Sequence, residues 1–254
     1  MDTTFDQYIN NPAGMKNSVI SHREMYREMY AKKLDAIYVR EKGDIDFIVY
    51  KDKKDYILHI KVPSEAIENF YYDVVVQFSP PNNVAELSRD IKGYLVHFYS
   101  NDPAFVYTFA HAFSKNNLFI KDLAPRMSKQ ALKERAKEKN PDDQIGYVKS
   151  LYFAYLIMVN KNLFAKIRLD SMSVPYDKKK LLDDVMNADE KIQLRQEAVP
   201  AGKKKKKDEK QLPREQDDAE DRKVPTTPSS FGIKRTKTTA STNRVGRVKR
   251  SKRI

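Results

Sequence analysis

Apolar and polar positions alternate along this chain in two periods. The segment HREMYREMYAKKLDAI places Met25, Tyr26, Met29, Tyr30 and Leu34 at helical spacing, and Ser21 with Glu24 three residues on forms a capping-box start. A helix is expected there, after a short N-terminal turn or helix and a loop broken at Asn11-Pro12 and Ala13-Gly14. Tyr38-Val39-Arg40, IDFIVYK and YILHIKV follow, separated by polar turns at Glu41 to Asp44 and at KDKKD. Short β-branched and aromatic runs joined this way predict an antiparallel meander. Ser64, Glu65 and Glu68 suggest a helical turn leading into YYDVVVQFS, a strand stopped by Pro80-Pro81, and GYLVHFYS reads as one more strand.

The second half of the pattern is helical. Asp102-Pro103 supplies an N-cap and a first-turn proline for AFVYTFAHAFSKN, which is apolar around most of its circumference and is expected against the sheet. MSKQALKERAKEKNPDD predicts an exposed helix capped by Ser128 and ended before Pro141, a lid or an arm being equally compatible. IGYVKSLYFAYLIMVNKNLFAKIRL predicts the strongest helix, whose 9-residue apolar run LYFAYLIMV is too short for a bilayer and suits a core or interface. Residues 176–196 predict a last amphipathic helix carrying Leu181, Leu182, Val185, Met186, Ile192 and Leu194. The expected fold class is therefore α+β, an antiparallel β-meander packed with helices, over a globular body of residues 1–197; no internal repeat is found.

Charge divides the chain at the same boundary. The formal net charge is +13, but residues 201–254 hold 18 Lys/Arg and 7 Asp/Glu, a net of +11, leaving 30 against 28 for the first 200 residues. Of the 27 Phe and Tyr, 26 lie at or before Tyr176 and only Phe231 lies beyond. A segment so poor in large apolar groups cannot offset its own ordering entropy, so residues 198–254 are expected to form a disordered basic tail. Lys203, Lys204, Lys205, Lys206 and Lys207 make its first basic block. After a mixed-charge stretch and a Thr/Ser/Pro spacer, Lys234, Arg235, Lys237, Arg244, Arg247, Lys249, Arg250, Lys252 and Arg253 make an acid-free second block of 9 basic residues. Such an arm releases counterions on meeting a polyanion and reads no sequence. These residues are the candidate nucleic-acid contacts, with a solvated tail or nuclear targeting as the competing readings of the same charges.

Chemistry is otherwise sparse. There are no cysteines, which excludes disulfides, thiolate metal sites and a cysteine nucleophile and suits a reducing compartment. The N-terminus shows no basic region leading into an apolar run, so a soluble protein without a secretion signal is expected. His22, His59, His97 and His111 stand in no metal-binding spacing; His59 and His97, on predicted neighbouring strands, could meet, yet zinc wants three or four convergent ligands. Asp46, Asp55 and Lys61 on adjacent strands weakly suggest a metal-dependent nuclease, but the position two before the lysine is His59 rather than an acid. Neither a glycine-rich phosphate loop nor a GxSxG motif is present. The aromatic clusters Phe70-Tyr71-Tyr72, His97-Phe98-Tyr99 and Tyr152-Phe153-Tyr155 lack the interleaved Arg and Lys of a stacking platform and fit core or protein-interface packing. No catalytic residue, cofactor or metal is expected.

The stretches NPAGMKNSVISHREMYREMY, FYYDVVVQF, DPAFVYTFAHAFSKNNLFIKDL and GYVKSLYFAYLIM resemble an uncharacterised family encoded by tailed double-stranded DNA bacteriophages, whose products are thought of as virion structural components. The resemblance covers roughly residues 8–165 and carries no catalytic motif. It implies assembly rather than catalysis: other virion proteins and a homo-oligomer as partners, and the virion or host cytoplasm as location. A non-specific nucleic-acid-binding protein of the infected cell is the alternative.

Overall fold

The computed structural model describes residues 2–10, 32, 36, 45–81, 89–146 and 148–198. Lys32 and Ala36 are helical within the expected first helix; the rest of that helix, the Tyr38–Arg40 run and every basic residue of the two tail blocks lie outside the described residues.

The meander is β1 (Phe47–Asp52), β2 (Asp55–Pro63), β3 (Tyr71–Ser79) and β4 (Leu95–Ser100). The sheet order is β4-β3-β2-β1-β5, where β5 is the two-residue strand Val174–Pro175, parallel to β1. It is thus an α+β sheet with one parallel edge. β1 and β2 join through a two-residue turn with Lys53 at φ 53°. The β2–β3 connection is a bend and turn rather than the expected helical turn: the Ser64 N–H donates to the Phe70 carbonyl at 2.6 Å and Asn69 adopts φ 56°, closing the loop as a hairpin extension. The free edge of β4 is covered at both ends. Val96 N–H donates to the Thr3 carbonyl, and Phe98 exchanges backbone bonds with Leu118 and Ile120, so little unpaired edge is left for strand addition.

Register assigns the strands two different faces. On one, Phe78, Val76, Val74, Leu58, Ile60, Phe98 and Val96 are fully or almost fully buried. Against it pack α1 (Phe5–Asn10), a π-helical segment (Phe105–Phe109) running into α2 (Ala110–Lys115), and α4 (Lys149–Asn160). Phe5, Tyr8 and Phe113 ring Phe98 with centroids 5.1, 4.9 and 5.9 Å away. Each such side chain contributes about 1.5–3 kcal/mol by burial, and each tilted or edge-on pair adds roughly 0.5–1.5 kcal/mol. The single polar contact at the sheet on this side is Ser100 Oγ to Ser150 Oγ, 3.1 Å. All three aromatic clusters contribute to the interior: Tyr72, Phe98, Tyr99, Tyr152 and Phe153 are buried. Gly146 is required here by close approach, since an added Cβ would collide with the Phe109 ring.

Three expected helices are shorter or divided. The exposed helix is only α3 (Lys129–Lys133), without a side-chain bond from Ser128; its continuation offers no buried apolar face. Asn140, 7% exposed, ties the following turn by donating to the Thr108 and Gln144 carbonyls. The strongest helix divides into α4 and α5 (Lys166–Met172). Asn162 takes φ 54°, Leu163 N–H donates to the Met158 carbonyl and Asn162 N–H to that of Val159, a Schellman stop. Asn117 and Leu118 end α2 in the same way. The last expected helix divides into α6 (Lys178–Asp184), capped by the Asp177 carboxylate, and α7 (Ala188–Ala198). Among the described residues no helix is long and apolar enough to cross a membrane.

Candidate functional site

The other face of the sheet carries Ile48, Tyr50, Ile57, His59, Lys61, Asp73, Val75, Gln77, His97 and Tyr99. Strand pairing sets Lys61 directly opposite Asp73 and His59 opposite Val75, so His59 and Lys61, two apart on β2, both reach the one carboxylate. The His59 Nε2–H donates to Asp73 Oδ1 at 2.8 Å and Lys61 Nζ to the same oxygen at 2.5 Å. Asp73 Oδ2 accepts from Asn101 Nδ2 at 2.7 Å and from the Met186 backbone N–H at 3.2 Å. Asn101 Oδ1 in turn accepts from the Asp73 N–H. Asp73 and His59 are 1% and 2% exposed, whereas 37% of the Lys61 side chain meets solvent.

Burial by itself would raise the Asp73 pKa. The hydrogen bonds and charge of His59 and Lys61 outweigh it and hold the carboxyl well below its ordinary 3.8, so Asp73 is an ionised, fourfold-satisfied acceptor. The same cluster explains the division of the last helix. Met186 directs its N–H to Asp73, and its carbonyl accepts from Tyr99 Oη and Asn101 Nδ2 at 3.3 Å each. Lys61 also reaches the Asp184 carbonyl at 3.4 Å, and Tyr50 Oη donates to the Asp184 carboxylate at 2.9 Å. Backbone groups held from outside cannot serve the helical ladder, and the chain turns between α6 and α7.

A cavity of about 400 Å³ opens beside the cluster, lined by Asp46, Phe47, Ile48, His59, Lys61 and Asp184. The acid–acid–lysine arrangement considered from sequence is not assembled here. Lys61 N–H does donate to the Asp46 carbonyl, but Asp55 lies six residues from Lys61 along β2, roughly 20 Å, and accepts instead from Gln77 and Ser79. Asp73 takes the place beside Lys61, with all its lone pairs occupied. Among the described residues no group of three or more His, Cys, Asp or Glu could hold a metal ion. An Asp–His pair is general-base chemistry where it faces a reacting group, but His59 is almost fully enclosed.

The other histidines are dispersed. β3 separates His97 from His59, so the two do not meet; burial lowers the His97 pKa, and its Nδ1 is enclosed without a partner. His111 Nδ1 contacts Asp143 Oδ1 at 2.7 Å, with Lys115 on the other oxygen at 3.1 Å. His22 lies outside the described residues. The sequence reading missed Asp73, Asn101 and Met186. Asp73 had a signal, a lone acid inside the apolar run YYDVVVQF, which is tolerated only when paired. Comparison with protein-family models, curated proteins and solved structures finds no match for this chain.

Proposed function

We propose that this is a non-enzymatic structural or assembly protein of a tailed bacteriophage, whose α+β body packs against itself or other virion proteins and whose basic C-terminal arm contacts DNA. A ring at the head–tail junction is the placement we favour. The observation that carries the reading is the charge division: a nearly neutral body, +2 over 200 residues, followed by an arm of +11. Two features of the body support it. Its most conspicuous charged cluster has its carboxylate saturated by groups that hold the fold, leaving no free acid for chemistry. α6 and α7, which lead toward the arm, are fastened by that cluster.

Two measurements test the proposal. Quantitative proteomics of purified particles is expected to find the protein at a fixed copy number; absence from particles would move the reading to a non-specific nucleic-acid-binding protein of the infected cell. Full-length protein is expected to bind double-stranded DNA with log K falling by about 0.9 per log salt for each phosphate neutralised. Deleting residues 201–254 is expected to abolish that binding. Binding that survives with an unchanged salt slope would place the contact on the body.

A further inference from the structure

A second cavity, of about 330 Å³, lies where the β2–β3 connection, the start of α4 and the last turns of α7 meet. Its volume falls at the small end of ligand sites, which combine an apolar lining with a few convergent polar groups. Val62, Pro63 and Phe153 give it an apolar wall, and Ser64, Tyr72 and Arg195 supply hydroxyls and a guanidinium. The Arg195 Nε–H is buried without a hydrogen-bond partner, a donor for which folding has provided no acceptor. The two carboxylates on the wall are engaged within the protein. Glu65 pairs with Lys149, and Asp102 accepts from the Ala104 N–H at 2.9 Å, in surroundings whose burial favours its neutral form.

We propose that this cavity binds a carboxylate carried on a short apolar stem, with Arg195 Nε–H donating to the carboxylate and the stem lying on Val62, Pro63 and Phe153. A singly charged, flat oxyanion matches one guanidinium donor. Phosphate, close to doubly charged at neutral pH, would meet Glu65 and Asp102 with more repulsion than one arginine offsets. The site is independent of the basic arm. Its ligand is either a free short-chain acid or the acidic side chain of a partner protein.

Calorimetric titration of the full chain with propionate, N-acetyl-glutamyl amide and inorganic phosphate separates these cases. Saturable binding of a carboxylate at one site per chain, with phosphate weaker, is expected. Tighter binding of the glutamyl amide assigns the site to a partner's side chain, and tighter binding of propionate to a free acid. Arg195→Gln is expected to weaken binding about tenfold or more, the effect of losing a charged hydrogen bond. Ala66→Trp, on the exposed rim, should block the cavity with thermal unfolding unchanged. No saturable carboxylate binding, phosphate binding more tightly, or binding indifferent to both substitutions would overturn the assignment.

Discussion

The two faces of the sheet are built from the same strands and held by opposite means. On the Phe98 face, side chains meet as rings and branched aliphatics, and the strength is distributed over many contacts of which none is indispensable in geometry. On the Asp73 face, four hydrogen bonds converge on one buried carboxylate, and removing that one group orphans His59, Lys61, Asn101 and the Met186 N–H together. The dry face supplies stability, and the polar face fixes where α6 and α7 attach. A buried charge is poor value as a source of stability compared with apolar packing but a strict determinant of geometry once its partners are in place.

Truncating either face should cost the most, for different reasons. Phe98→Ala is expected to lose about 3–5 kcal/mol through the cavity left among Phe5, Tyr8 and Phe113. Asp73→Ala should lose a similar ~3–5 kcal/mol through uncompensated buried polar groups. Denaturant titration of both variants measures this; an Asp73→Ala loss under about 1 kcal/mol, the level of an exposed ion pair, would break the comparison. Acid then separates the faces. The Asp73 pKa is depressed in the folded protein, so the stability it contributes is present above the ordinary 3.8 and is lost as pH falls below that value toward the folded one. The advantage of the wild type over Asp73→Asn should accordingly shrink below pH 3.8, while the Phe98→Ala deficit persists.

Smaller effects sharpen the picture of the dry face. Gly146→Ala would drive a methyl into the Phe109 ring and should cost roughly 1–3 kcal/mol as overpacking. Asn162→Ala should cost about 1 kcal/mol, because alanine tolerates the left-handed backbone of the α4 stop less well, whereas Asn162→Gly should be neutral or better. Thermal melts of the two Asn162 variants against wild type check the order.

The division between faces was only half legible in the chain. Strands β1 to β4 announce themselves through β-branched and aromatic runs between polar turns. β2 and β3, buried on both sides, read as almost continuous apolar stretches, so nothing local says which side is dry. β5, two residues ending in proline, has no periodicity to detect. The helix stops divide likewise. Asn162-Leu163 and Asn117-Leu118 carry a local signature, an asparagine able to turn left-handed followed by an apolar residue, and could have been read as stops. The break at Met186 could not, because its cause is Asp73, 113 residues away in sequence. The candidate nucleic-acid contacts show the reverse case: their signal is charge density in the sequence, and their residues lie outside the described structure.

The central claim is that Asp73 fastens the α6–α7 junction to the sheet. Native-state hydrogen exchange tests it most directly, read at the Met186 amide, whose acceptor is Asp73 Oδ2. In the wild type that amide should be among the protected ones. In Asp73→Asn, where the amide group can no longer offer two anionic oxygens, protection at Met186 should fall by orders of magnitude more than at Tyr152, whose N–H donates to the Val148 carbonyl at the start of α4 on the dry side. Equal loss at both amides, or undiminished protection at Met186, would contradict the account.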